Sequence, residues 1–245
     1  MDLQKTKGIV LRNVKYGDTS IIATIYTELF GVQSYLINGV RTFSKKGHGK
    51  ANMFQPTAML DLVVYHNELK NLQRIKEFKW AYLYQHLFFD VIKNAVGLFM
   101  IELLQKCLKQ PEPNTDLFYF IEDAFLYLDE SDNTIVANYP LFFMLNLAVF
   151  FGFQISDEYD EKNSVLDLQQ GFFVQEKTEH PYFLDGQNSS ITSEILKVRK
   201  PEELRDIKLN RDTRRILLQA YMHFYALHIQ DFGVMKTFQV LQAIL

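Results

Sequence analysis

Apolar and polar residues alternate through the first third of the chain and then give way to helical spacing. Residues 5–14 carry the run Ile9-Val10-Leu11 in a strand-like setting, and Tyr16-Gly17-Asp18 marks a turn after it. Residues 20–26, rich in Ile and Thr, predict a second strand. Beyond Leu29-Phe30-Gly31, a third strand over 32–40 has Val32, Ser34, Leu36, Asn38 and Val40 on one face and Gln33, Tyr35 and Ile37 on the other. Residues 56–65 hold Leu60, Leu62 and Val64 in phase. Residues 68–78 are anchored by Leu72 and Ile75, and Asn67 suits the tight turn between these two strands. Five short strands with glycine turns predict a small closed barrel. An OB-fold is a five-stranded Greek-key barrel; an SH3-like barrel has the same strand count, and periodicity does not separate them.

After Trp80 the spacing is helical. Residues 82–108 predict one long or kinked helix, with Gly97 a candidate break and Pro111 and Pro113 ending it. Asn114 or Thr115 can cap the next, to about residue 129. Tyr139-Pro140 is expected to open a third helix through Phe151, stopped by Gly152. Asn210 or Asp212 starts a long helix to about residue 230, and residues 235–244 form a last one after Gly233. Between them, residues 154–209 are mixed: an acidic loop over 156–161, a short strand over 170–174 and a short helix over 189–197. The expected architecture is α+β with two domains: a five-stranded barrel over 1–80 and a mainly helical domain over 81–245. No Gly/Pro/Ser-rich linker separates them, so direct packing is expected.

Composition removes several classes. With 245 residues, 48% hydrophobic and 22% charged, the chain is globular and can bury a core without disulfides or a structural metal. A single cysteine, Cys107, allows no internal disulfide and no cysteine zinc site. The polar start MDLQKTKG has no apolar signal core. The most apolar run, 141–153, contains Asn146 and is well short of the roughly 20 residues of a spanning helix. No membrane partner is expected.

Charge is distributed unevenly. Residues 1–80 hold 12 Lys and Arg against 6 Asp and Glu, whereas the remainder holds 14 against 23. A basic barrel on an otherwise acidic chain suggests an anionic partner. The stretch Arg41-Thr-Phe-Ser-Lys45-Lys46-Gly-His-Gly-Lys50 has four cations and no acid. It reads either as a loop that tracks phosphates while Phe43 or Tyr35 offers a stacking face, or as an ordinary solvated loop. Gly49-Lys50 is no phosphate-binding P-loop, because Ser44 and Ala51 stand where Gly and Ser/Thr are needed.

Catalytic motifs are missing: there is no GxGxxG, GxSxG or HExxH. Cys107 lies in an apolar helix and reads as a buried inert thiol. His223 and His228 are five apart, not the four of a helical metal pair, and Asp157, Glu158, Asp160 and Glu161 lack EF-hand spacing. Neither an enzyme nor a cofactor is expected.

The run Lys7-Gly-Ile-Val-Leu11, then Tyr16-Gly-Asp18, Leu29-Phe-Gly31, the basic stretch 39–50 and Gln55-Pro56-Thr57 resembles the bacterial recombination mediator family RecO. His223-Phe-Tyr-Ala-Leu-His228 through Phe232-Gly-Val-Met-Lys-Thr237 and Val240-Leu241 is similar to that family's C-terminal signature in its Bacteroidetes-type form. The resemblance implies an N-terminal OB-fold on a helical domain, binding of single- and double-stranded DNA, annealing of complementary strands and no catalytic turnover. It also implies partnership with RecR, contact with the C-terminal tail of SSB, help in loading RecA during DNA repair and recombination, and a cytoplasmic, nucleoid-associated place in a bacterial cell. One departure stands out. Many members carry four zinc-binding cysteines after the glycine matched here by Gly152, whereas this chain continues Phe153-Gln-Ile-Ser-Asp-Glu-Tyr-Asp-Glu161 without one. Gly171-Phe172-Phe173 still resembles the segment beyond the first cysteine pair, so residues 154–209 look like a zinc-free insert held by packing.

From charge and placement, the DNA-contacting candidates are Arg12, Lys15, Arg41, Lys45, Lys46, Lys50, Lys70 and Arg74. A second set, Arg211, Arg214, Arg215 and Lys236, either forms ion pairs on the helix surface or meets the acidic SSB tail. A competing reading is a non-enzymatic adaptor whose barrel contacts an acidic protein instead of DNA.

Overall fold

A computed structural model describes residues 2–41, 49–109 and 112–245. Five strands form the N-terminal barrel: β1 (Asp2–Tyr16), β2 (Ser20–Thr27), β3 (Gly31–Ile37), β4 (Met59–His66) and β5 (Leu72–Trp80). Their order is β1-β2-β3-β5-β4, with β1 pairing antiparallel to both β2 and β4, and β3 pairing parallel to β5. This Greek-key closure is the OB-fold, which resolves the choice that periodicity left open. The register of β1 slips between Val10 and Arg12; such a bulge bends a strand and lets it serve two neighbours. Gly8 sits where β1 faces Thr27 on one side and Leu60 on the other. A Cβ there would come within 2.6 Å of an Ile25 methyl and 2.9 Å of a Leu62 methyl, so a larger residue would have to displace those core side chains.

Val10, Ile21, Ala23, Ile25, Tyr35, Ile37, Leu60, Leu62 and Val64 fill the interior. Asn67 makes the expected turn: Lys70 N donates to its carbonyl (3.0 Å) and Leu69 N to its Oδ1 (2.9 Å). A 3-10 turn over Lys50–Phe54, unforeseen in the sequence, supplies Phe54 to the core.

The helices are α1 (Val91–Cys107), α2 (Thr115–Glu130), α3 (Asn133–Val149), α4 (Gly186–Leu196), α5 (Arg211–His228) and α6 (Lys236–Ile244). Two expectations need correction. The helix expected over 82–108 begins only at Val91, because Asp90 Oδ1 accepts from Ile92 N (2.8 Å) and Lys93 N (2.9 Å) and caps it. Residues 81–89 are instead an aromatic, non-helical segment. Tyr84 donates to Thr57 O (3.0 Å) and meets Phe88 edge-on at 5.0 Å. Gly97 lies inside α1 without breaking it, and α1 ends at Cys107 before Pro113; Pro111 lies outside the described residues. The third helix starts at Asn133, six residues before Tyr139, because Asp132 caps it by accepting from Thr134 N and Ile135 N. Pro140 sits inside that helix. It removes one backbone donor, and the helix is buried on nearly every side, so packing outweighs the local defect.

The chain divides into two compact units, Met1–Phe89 with Ile101–Leu126, and Asp90–Met100 with Tyr127–Leu245. In the first, helical residues fasten onto the barrel. Gln105 Nε2 donates to Leu11 O (2.8 Å), Tyr26 Oη to Asn114 O (2.9 Å) and Tyr119 Oη to Glu28 (2.6 Å), while Lys7 pairs with Glu122 (2.8 Å). The hydrogen bond to Glu122 holds the Lys7 ammonium above its ordinary pKa. Cys107 is buried, and burial pushes its thiol up to about 12. The folded protein is therefore expected to leave Cys107 unlabelled by a charged thiol reagent at neutral pH, whereas the urea-unfolded chain labels rapidly. Rapid labelling of the folded protein would show that this site opens.

In the second unit, Tyr225 Oη donates to Met144 O (2.7 Å), Tyr221 Oη to Thr192 Oγ1 (2.9 Å), and Asn138 Nδ2 to Ile207 O (2.8 Å). Residues 154–209 contain a three-stranded sheet of β6 (Val165–Asp167), β7 (Phe172–Val174) and β8 (Phe183–Leu184) in the order β7-β6-β8. Only β7 was legible in the sequence. Val165, Leu166, Leu168, Phe173 and Leu184 are buried in this region. Among the described residues, no three His, Cys, Asp or Glu side chains cluster closely enough to hold a metal ion.

Candidate nucleic-acid interface

The strand register turns a list of cations into a surface. Val14, Ile22, Leu36, Arg74 and Tyr65 face one another in sequence across five strands and form one outward row. Arg12, Thr24, Ser34 and Leu72 form the next. Arg12 on β1 and Arg74 on β5 therefore both point outward, on adjacent rows that run round the closed barrel, with β2 and β3 between them one way and β4 the other. Arg12 Nε donates to Thr24 Oγ1 (3.3 Å). Arg41 reaches the β1–β2 turn, where its guanidinium donates to Gly17 O (3.0 Å) and its backbone N–H to Thr19 O (3.0 Å). That brings it beside the end of β1, where Lys15 is exposed. Lys50 is exposed at the start of the 3-10 turn, which Asn13 ties to β1 through Phe54 O (2.6 Å). Lys45, Lys46 and Phe43 lie outside the described residues.

The β4–β5 turn carries Lys70, and beside it lies a groove of about 510 Å³ lined by Leu36, Tyr65, Lys70, Leu72, Gln73 and Arg74. Among the described residues, Arg12, Lys15, Arg41, Lys50, Lys70 and Arg74 have no carboxylate within ion-pair distance. Three of the barrel's other described cations differ, while Lys5 on β1 is exposed and has no ion pair among the described residues. Lys7 is paired with Glu122, Lys79 with Asp61 (3.3 Å) and Lys76 with Glu77 (3.8 Å). Apart from Lys5, the unpaired cations among the described residues of the barrel are thus the six candidates. Asp18 and Glu68 are the acids in those two turns.

One candidate fails. Tyr35, considered as a stacking face, points into the barrel and is wholly buried, because its face of β3 is the inner one. Among the described residues, Tyr16 and Tyr65 are aromatics near the cations that reach the surface. Sequence reasoning passes over both, although Tyr65 is out of phase with the core residues Leu62 and Val64, and that signal was there to read.

The second basic set is divided. Arg211 donates to Ala243 O, and Arg214 donates to Leu245 O (3.2 Å) and Leu209 O (2.8 Å). Both therefore hold the last turn of α6, where carbonyls lack helical partners and cations are favoured. Burial, and then the neighbouring Arg211, lowers the Arg214 pKa from its ordinary value. Arg215 and Lys236 are exposed.

By fold, the chain is an OB-fold barrel followed by a helical region. A family model described as "Recombination protein O N terminal" matches residues 1–84, and one described as "Recombination protein O C terminal" matches residues 89–237. The chain is 34% identical over 240 residues to the DNA repair protein RecO of Christiangramia forsetii, and 32% identical over 240 residues to that of Phocaeicola vulgatus. Each comparison covers 98% of both chains. It is 30% identical over 241 residues to the DNA repair protein RecO of Bacteroides fragilis. The chain belongs to the RecO family of DNA repair proteins. Among the described residues, no helix is long and apolar enough to cross a membrane.

Proposed function

We propose that this chain is a recombination mediator that works without catalytic turnover. Its barrel, residues 1–80, binds single- and double-stranded DNA and anneals complementary strands. Residues 81–245 form the partner-binding part, and with RecR the protein helps load RecA onto SSB-coated single strands. The observation that carries this reading is the contrast between the paired cations Lys7, Lys76 and Lys79 and the unpaired ones around β1–β2, β3–β5 and the β4–β5 turn. Two complementary strands repel each other. A surface of unpaired cations displaces their counterions and lets them approach. Cations already neutralised by carboxylates contribute little to this. The acidic tail of SSB would meet Arg211, Arg214, Arg215 and Lys236, of which Arg211, Arg215 and Lys236 are exposed in the first turns of α5 and α6.

Fluorescence anisotropy with an unstructured oligonucleotide at several salt concentrations tests this. Binding is expected to tolerate any sequence, with a log–log salt slope of roughly −2 to −3.5 for three to five phosphate contacts. No binding at low salt would remove direct DNA contact by the isolated chain and favour the adaptor reading.

A further inference from the structure

We propose that Asn38–Gly39 is a self-modification site: the Asn38 amide cyclises onto the Gly39 nitrogen, the ring reopens as aspartate or isoaspartate, and the new carboxylate lowers DNA affinity. The modification stands on the chemistry of this turn, and its effect on DNA rests on the reading above. Asn38 is the one asparagine of the chain that a glycine follows. It comes directly after β3 and is exposed. Cyclisation needs the nitrogen of residue 39 to reach Cγ of residue 38, and a side chain on residue 39 hinders that approach. Gly39 has none. Its φ is +70°, which glycine adopts freely, and among the described residues no atom beyond its chain neighbours lies within 4 Å of where a Cβ would stand. The ring therefore has room to close.

Ser20 supplies the activation. Its hydroxyl donates to Asn38 Oδ1 (3.0 Å). As the nitrogen adds to Cγ, negative charge collects on Oδ1, and a donor already aimed at that oxygen stabilises the tetrahedral adduct as an oxyanion hole does. Water takes the proton from the Gly39 N–H and the new C–N bond forms. The Cγ–Nδ2 bond then breaks as Nδ2 accepts a proton and leaves as ammonia. Water next adds to the cyclic imide. Opening at one carbonyl gives aspartate; opening at the other gives isoaspartate, whose main chain runs through Cβ and Cγ. The net reaction consumes water and releases ammonia, and no other reagent enters. Related sequences elsewhere are held back. Asn188-Ser189 lies within α4, where helical backbone commits the next N–H along the axis. Asp185-Gly186 carries a carboxylate paired with Lys177 (2.5 Å), which is a poor electrophile.

The position of the new charge gives it an effect. Asn38 is held to Ser20 at the start of β2, and Arg41 is held to Gly17 and Thr19 of the turn just before it. Lys15 is exposed at the same end of β1. Conversion takes residue 38 from neutral to negative beside these cations and offsets part of their attraction for phosphates. Isoaspartate also lengthens the main chain ahead of Val40, which is 3% exposed and anchors the exit from β3.

The test ages the folded protein in mildly alkaline water labelled with heavy oxygen and reads every asparagine by peptide mapping and mass spectrometry. Residue 38 is expected to convert first, carrying oxygen from the water, as a mixture of aspartate and isoaspartate. Ser20→Ala is expected to slow it by about threefold, the loss of one exposed hydrogen bond. An intact Asn38 in the folded protein, under conditions where the urea-unfolded chain converts, would overturn the site. An unchanged rate in Ser20→Ala would overturn the part given to Ser20. Anisotropy with a single strand at low salt then compares fresh and aged protein. Aged wild type is expected to bind about threefold more weakly, and fresh Asn38→Asp to match it. Asn38→Gln, whose longer side chain cannot close the five-membered ring, is expected to keep its affinity through the same ageing. Conversion with unchanged affinity would overturn the effect on DNA. If fresh protein binds no DNA, that effect and the reading beneath it both fall, while the mass map still decides the modification.

Discussion

Reversing Lys70 and Arg74 together to glutamate is expected to weaken single-strand binding by about 30-fold or more at moderate salt. It should also flatten the salt slope by about 1.4. Each phosphate contact on a single strand contributes about 0.7 to that slope, so losing two contacts fixes the change. Both side chains are exposed and neither is in an ion pair among the described residues, so the fold does not depend on their charge. Reversal of Lys79 is the internal control. It is already paired with Asp61, so its reversal is expected to change the slope far less. If Lys79→Glu weakened binding as strongly as the double variant, the DNA track would run along β4 and β5 to their opposite ends, at Asp61 and Lys79.

Gly171→Ala is expected to cost about 3 kcal/mol and to lower the melting temperature by roughly 6–12 °C. Two effects combine. Gly171 has φ of +76°, in the left-handed region that disfavours a Cβ, and a Cβ there would lie 2.8 Å from Gln154 O. The obstacle is backbone, so no rotamer change relieves it. Gly171 N also donates to Asp167 O (2.8 Å), and Ser156 N donates to Gly171 O (2.9 Å), so residues 154–156 and β6 are both tied to this residue. Thermal unfolding followed by circular dichroism measures the loss. A drop of under about 2 °C would mean that the 154–156 segment shifts freely and does not brace the sheet.

The barrel was legible because its strands are amphipathic: Leu60, Leu62 and Val64 alternate with outward residues, and turn glycines and Asn67 punctuate them. The OB topology was not legible from pattern, since the parallel β3–β5 pairing joins residues far apart in the chain, such as Ser34 and Leu72. Helix starts failed where an aspartate outranked hydrophobic spacing, at Asp90 and Asp132. Pro140 misleads in the same way, because proline favours a helix start and here burial carries it inside one. β6 and β8 are two or three residues long and too short for any period. The candidate cations could be named by charge, but only register shows on which outward rows Arg12 and Arg74 stand. Sequence also could not show that Arg211 and Arg214 are committed to the end of α6.

The first compact unit is discontinuous in sequence: Ile101–Leu126 belongs with the barrel, while Asp90–Met100 belongs elsewhere. During synthesis, the residues that supply Gln105, Asn114 and Glu122 to the barrel emerge from the ribosome only after a piece of the other unit has passed. A fragment ending just beyond Trp80 therefore has all five strands, yet leaves the partners of Leu11, Tyr26 and Lys7 behind. The barrel is not an interchangeable module with a single seam; the shortest continuous chain that contains the whole unit runs to residue 126.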